Sequence, residues 1–289
     1  RVREVRAMLN DVTFGQYYPA KSFVHSMDPR TKLLALIAFI VAIFIADTFY
    51  GMILCAVVLI AAVIAARVPF GSVLRSVKGI LFILILTSVL NLFFHGGEHP
   101  LTPPDSPITI YREAVVYTVF LLLRLFLLVM ASAVLTLTTT PVRLTDGIES
   151  LLTPLKWIRF PVHELALIMS IALRFIPTLI DETNRIIAAQ KARGADFESG
   201  NIIKRIKAVV PILIPLLISA CRRAEELGDA MDARCYSGSK NRTKYKKLTF
   251  GWRDLVGALI FAALIAGVVL FNIYGEQIFP AIYEYIVIT

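Results

Sequence analysis

Apolar positions along this chain fall in long blocks separated by short polar breaks, the pattern of helices that meet lipid. Residues 33–46 form a first apolar run, Asp47-Thr48 interrupts it, and 51–66 form a second. Each run is short of the ~20 residues that a helix needs to cross a bilayer. A tight hairpin of two short or tilted helices accommodates both, with Phe49 and Tyr50 at the interface. One continuous helix would strand Asp47 in lipid. Asp28-Pro29 opens the first helix, since Asp is a good N-cap and Pro suits the first turn. Arg67-Val68-Pro69 closes the second run, 73–78 reads as interfacial, and 79–94 is a third span. A Pro- and Gly-rich loop over 95–112 leads to a long fourth span at 113–137. The stretch 141–253 differs: it has mixed polarity, amphipathic periods and apolar runs too short to span. A fifth span covers 255–273, and 274–289 is a short interfacial tail with Pro280 and several aromatics. The pattern predicts an all-α integral membrane protein with about five transmembrane helices. Its parts are a basic arm (1–32), four spans (33–140), a helical domain outside the membrane (141–253), and a last span with the tail (254–289).

Composition agrees. Of 289 residues 57% are hydrophobic and the mean hydropathy is +0.72, too apolar for a soluble domain. Residues 1–30 are polar and basic, with no apolar core of the kind a cleavable signal peptide carries. Cys55, Cys221 and Cys235 are isolated, so neither a disulfide framework nor a zinc site is supported. A net charge of +9 would suggest nucleic acid in a soluble chain, but in a membrane protein it records orientation. The arm holds six Lys and Arg, 67–78 holds three and 141–253 holds nineteen, leaving only Arg112 and Arg124. In the five-span arrangement all but those two fall on one side, which the positive-inside rule makes the cytoplasm. The N-terminus is then cytoplasmic, and no nucleic-acid partner is expected. Within 141–253 the excess of positive charge suits lipid headgroups and an acidic docking surface on a partner. The basic run Lys240, Arg242, Lys244, Lys246 and Lys247, just before the last span, reads as a headgroup anchor.

Two short segments in the basic domain carry the most specific signal. Lys191-Ala192-Arg193-Gly194 and Asp232-Ala233-Arg234-Cys235 each place an arginine between small residues at the end of an amphipathic helix. Such an arginine can push its fork of donors into a groove on a partner. The first helix is expected to start near Pro177, with Asp181 and Glu182 at its positive end and Lys191 at the other. Gly194 reads as the C-cap glycine. The second helix is rooted in 211–220, where Pro211 and Pro215, four apart, kink one side. Arg222-Arg223 and Glu225-Glu226 supply ion pairs along it, and Gly228 is a weak spot. One such triplet is an ordinary helix end. Two copies in one domain suggest two sockets.

Arg174-Phe175-Ile176-Pro177, then 189–196 around Arg193, then Met231-Asp232-Ala233-Arg234-Cys235-Tyr236, occur in an order and setting that resemble a known family. It is the transmembrane coupling subunit, or T component, of energy-coupling factor transporters, and the resemblance runs from about residue 20 to 270. The resemblance implies an ABC-type importer of vitamins or other micronutrients in a prokaryotic cell membrane. It implies two crossing cytoplasmic coupling helices, each docked in a groove of one of two ABC-type ATPase subunits. It also implies a separate substrate-specific membrane subunit, the S component, packed against this chain. Carried over by position, Arg193 with Ala192 and Gly194 is the first coupling motif, and Arg234 with Ala233 and Cys235 is the second. Cys235 departs from the glycine of the simplest pattern and is still small. The chain itself then needs no cofactor, because the partner ATPases bind ATP. No Gly-rich phosphate loop is present, which agrees.

Two rival readings are weighed beside this one. A permease subunit of a conventional ABC importer would need a single coupling helix, and two arginine motifs disfavour it. His95-Gly96-Gly97-Glu98-His99 matches the H-x-x-E-H pattern of a membrane metallohydrolase, which needs both histidines on one helix face. Two internal glycines and Pro100 argue against that helix. Arg124, in mid-span, is expected to face other helices in an ion pair or a polar cavity. His25 and His163 read as surface or interfacial residues. The small-residue stripes at Ala61, Ala62, Ala65 and Ala66, and at Gly257, Ala258, Ala262, Ala263, Ala266 and Gly267, suit close helix packing, within the chain first of all.

Overall fold

The computed structural model describes residues 17–96, 111–158, 160–195, 202–236, 238 and 250–278. Among the described residues nine α-helices follow in order: α1 (Pro29–Ile45), α2 (Phe49–Ala66), α3 (Phe70–Lys78), α4 (Leu81–Phe94), α5 (Arg112–Thr138), α6 (Pro141–Leu152), α7 (Val162–Ala192), α8 (Ile202–Asp232) and α9 (Trp252–Ile278). A 3₁₀ turn, Thr153–Ile158, links α6 to α7. The basic arm up to residue 16, the 240–247 run and the tail from 279 lie outside the described residues. The chain divides into two compact units, one of Gly15–Ile148 with Leu248–Thr289 and one holding Glu149–Lys247.

In the first unit α9 packs on α1 and α2, while α5 packs on α1 to α4. Its core is made by side chains such as Phe39, Ile43, Met52, Leu127 and Val268, all buried. Asp28 caps α1 as its sequence suggests: its carboxylate accepts from Arg30 N at 3.0 Å, with Pro29 at the first helical position. Buried Asp254, at the start of α9, accepts the Asp28 N–H at 2.8 Å and so ties the two helix starts together.

Asp47 does mark a hairpin rather than one long helix, and the reason is visible in where the freed backbone groups go. An Arg124 guanidinium N–H donates to Ala46 O at 3.2 Å. Asn272 donates to Ile45 O, and Thr48 Oγ1 donates to Asn272 Oδ1 at 3.1 Å. The opposite end of the bundle follows the same logic. Lys32, which the sequence places in the basic arm, is buried, and its ammonium donates to Thr138 O at 2.9 Å and Thr139 Oγ1 at 3.2 Å. Tyr18 N donates to Leu137 O at 2.9 Å, so the end of α5 is closed by residues more than a hundred positions away.

The set of helices long and apolar enough to cross a membrane differs from the expectation at two helices, α1 and α7. By length and apolar composition α2, α5, α7 and α9 can each cross a bilayer, and α3 with α4 makes a fifth if that bent pair counts as one span. α1 has 17 residues, about 25 Å at 1.5 Å per residue, short of the ~30 Å apolar layer. The unexpected member is α7. Pro177 does not start that helix but lies inside it, fifteen residues after Val162, so its apolar first half is longer than the sequence suggested. Asp181 and Glu182 are therefore mid-helix residues, and the acid that does occupy the first turn is Glu164. α8 likewise carries Pro211 and Pro215 inside a single helix.

Two more expectations change. His25 is buried rather than interfacial. Its Nε2 lies 2.9 Å from Tyr18 O, which can only accept, so Nε2 carries the proton and Nδ1 accepts from Ser22 Oγ at 2.7 Å. Burial holds its pKa below the usual histidine value. His163 is likewise partnered, with Nδ1 2.6 Å from Glu149 Oε1. The small-residue stripes serve packing within the chain at two glycines: a Cβ on Gly267 would come 2.9 Å from Leu54 Cδ2, and one on Gly257 would meet Met27 Cε. Ala61, Ala62 and Ala65 instead line an apolar cavity of about 320 Å³ bounded by α1, α2, α5 and α9.

Candidate functional site

Both arginine segments end their helices in the same way, bond for bond. In the first, Ala195 N donates to Gln190 O at 3.0 Å and Gly194 N to Lys191 O at 3.0 Å. In the second, Tyr236 N donates to Met231 O at 3.1 Å and Cys235 N to Asp232 O at 2.9 Å. This pair of bonds, six-to-one outside five-to-two, is the Schellman closure of a helix C-terminus. It requires a left-handed residue just past the cap, and φ is +85° at Gly194 and +56° at Cys235. Arg193 and Arg234 are thus equivalent residues, each the C-cap, each preceded by alanine and followed by the left-handed position. All six residues (Ala192, Arg193, Gly194, Ala233, Arg234 and Cys235) are exposed. A small or left-handed neighbour on both sides leaves each guanidinium free to enter a concave surface.

The helices that carry these ends are held to each other. Arg223 on α8 donates to Glu182 Oε2 on α7 at 3.0 Å, and Gln190 Nε2 reaches Pro211 O at 3.5 Å. Contact positions rise along α7 while they fall along α8, so the two helices run in opposite senses where they meet. Glu182 precedes Arg193 by eleven residues, and Arg223 precedes Arg234 by eleven. Each motif therefore lies about 16 Å along its helix from one ion pair, and the motifs occupy opposite ends of the helix pair. Sequence reasoning missed this contact. It paired Arg223 with acids on its own helix and assigned Glu182 to a helix start. The missing signal is long-range, because the partners are 41 residues apart.

Large apolar side chains on the same two helices are exposed: Leu165, Ile168 and Met169 on α7, and Leu213, Ile214 and Leu217 on α8. Exposed apolar clusters such as these two mark contact with lipid or with another protein. The rival metal motif falls largely outside the described residues. Glu98 and His99 lie outside the described residues, and His95 stacks its ring on Tyr117 with 4.6 Å between centroids. Among the described residues no group of three His, Cys, Asp or Glu could hold a metal ion. Arg124 combines both expected roles. Besides Ala46 O, it lies 3.9 Å from Asp47 Oδ1 and over the Phe44 ring, and with Asp47 and Tyr117 it lines a small cavity of about 100 Å³.

Comparison with known proteins gives a consistent result. The family described as cobalt transport protein, CbiQ, matches residues 20–245. The energy-coupling factor transporter transmembrane protein EcfT of Clostridium kluyveri is 45% identical over 267 residues, covering 92% of this chain and 99% of that protein. The EcfT of Acidaminococcus fermentans is 50% identical over 262 residues, covering 89% and 95%. The EcfT of Bacillus subtilis is 44% identical over 261 residues, covering 89% and 98%.

Proposed function

The chain belongs to the family of energy-coupling factor transporter transmembrane proteins, and from that premise we propose that it couples two ABC-type ATPase subunits to a substrate-specific membrane subunit. The observation that carries this reading is the identity of the two helix ends. A chain built to engage two sockets of one shape needs two matching plugs, whereas a permease with one coupling helix needs one. Arg193 and Arg234 each enter an ATPase groove and pair with acidic or carbonyl groups there. A charge-assisted hydrogen bond of this kind contributes ~1.5–3 kcal/mol. Removing one partner of a buried pair costs ~2–5 kcal/mol, because the other charge stays behind unpaired.

ATP is bound and hydrolysed by the partners, and this chain acts without catalysis and without a cofactor of its own. When the ATPases close, α7 and α8 are drawn as levers, linked through Glu182 and Arg223. Their exposed apolar faces carry the movement to the S component, which packs against them in the membrane. The basic segments hold this side of the protein, with the N-terminus, in the cytoplasm of a prokaryotic cell. The S component chooses the cargo, a vitamin or another micronutrient, and cobalt enters only through the description of the matching family.

The test is co-purification of the chain with its two ATPases, wild type against an Arg193→Glu, Arg234→Glu double variant. The expected result is retention by the wild type and loss in the variant, with the membrane chain still monodisperse. Equal retention of both ATPases by the double variant refutes the coupling role of these arginines.

A further inference from the structure

The α3–α4 pair bends by 59° at Gly79-Ile80, and this break opens a groove against α5. The groove is about 760 Å³, with walls that include Leu81, Ile85 and Phe126. Arg75 and Lys78, in the last turn of α3, line the same groove at its start, and both are exposed. No Asp or Glu lines it, and none occurs anywhere between Asp47 and Glu98. α4 has 14 residues, about 21 Å, so α3 with its two cations sits at the edge of the apolar layer. The groove is thus cationic at one end, apolar beyond it, and open to the side.

We propose that this groove is a binding site for an anionic phospholipid. The headgroup phosphate lies between Arg75 and Lys78, and one acyl chain runs along Leu81, Ile85 and Phe126. Polarity changes along the groove in the order in which it changes along a lipid. An apolar helix of a protein partner laid there would cover two cations and offer them no counter-charge, which is costly. A zwitterionic headgroup would bring its own cation beside them. Basic pockets between spanning helices recognise anionic headgroups on these grounds. The inference does not depend on the coupling arginines.

The experiment uses the full chain in phosphatidylcholine vesicles with a trace of phosphatidylglycerol that carries a photoreactive group on its acyl chain. Label is expected on peptides holding residues 81–85 and 122–126. Unlabelled phosphatidylglycerol should compete roughly 30-fold better than phosphatidylcholine, the effect of two cations near a headgroup. Arg75→Gln with Lys78→Gln should lose that preference while eluting as the wild type in gel filtration. Ile85→Trp fills the groove with both cations intact and should lose the label as well. Equal competition by the two lipids, or label unchanged in either variant, overturns the proposal. Displacement by inorganic phosphate alone would make this an anion site without a lipid. Loss of label when the substrate-specific subunit binds would make it a protein-docking face.

Discussion

Gly194 and Cys235 hold the same backbone position, yet only one of them is suited to it. A left-handed conformation costs a residue with a Cβ roughly 1–2 kcal/mol that glycine does not pay. Nothing lies within 4 Å of a Cβ built on Gly194, so the conformation alone decides there. Two reciprocal substitutions should therefore act in opposite directions. Gly194→Ala should speed amide hydrogen exchange at Ala195, whose N–H closes the outer bond, by roughly tenfold, the equivalent of ~1.4 kcal/mol. Cys235→Gly should slow exchange at Tyr236 by a similar factor. Unchanged exchange at both amides would mean that these helix ends are set by something other than the left-handed residue. The sequence discloses the glycine at once, because glycine past a helix end has a known preference. It does not disclose that Cys235 takes the same conformation, since cysteine carries no such preference. The recurrence of Ala-Arg-small is the one hint.

The break between α1 and α2 shows why a polar residue in mid-span need not be an ion-pair partner first. Arg124 satisfies the Ala46 carbonyl at 3.2 Å, while its approach to Asp47 is 3.9 Å and the Asp47 side chain is 77% exposed. An exposed pair at that distance contributes ~0–1 kcal/mol, whereas an orphaned buried carbonyl costs ~1–3 kcal/mol. Arg124→Leu should therefore lower the thermal midpoint of the chain clearly, and Asp47→Asn should barely move it. Equal losses would return the weight to the ion pair. At this scale the hairpin was legible, because Asp47 in lipid is unaffordable. The extent of α7 is not legible in the same way, because a proline reads as a helix start and Pro177 is carried inside a long helix instead.

For the molecule as a whole, the legible part is the ordering of apolar runs and charge, and the illegible part is which distant groups meet. Lys32 finds Thr138, and Glu182 finds Arg223, through folding that no local pattern encodes. The charge distribution still makes a testable statement about orientation. Cys221 and Cys235 are exposed and Cys55 is buried. In a Cys221→Ser variant, a membrane-impermeant maleimide should label Cys235 in inverted vesicles and not in right-side-out ones, and added ATPases should protect it. Label in right-side-out vesicles would reverse the topology. The matched helix ends have one more consequence. A single polypeptide is asymmetric, yet here it presents a pseudo-twofold: two copies of one handle, facing apart. The two handles share one backbone closure and one arginine and differ only in Gly194 against Cys235. The difference in charge lies just before them, where the first handle has Lys191 and the second, at the equivalent position, has Asp232. Opposite charges at that site would favour unlike partners at the two ends of the helix pair.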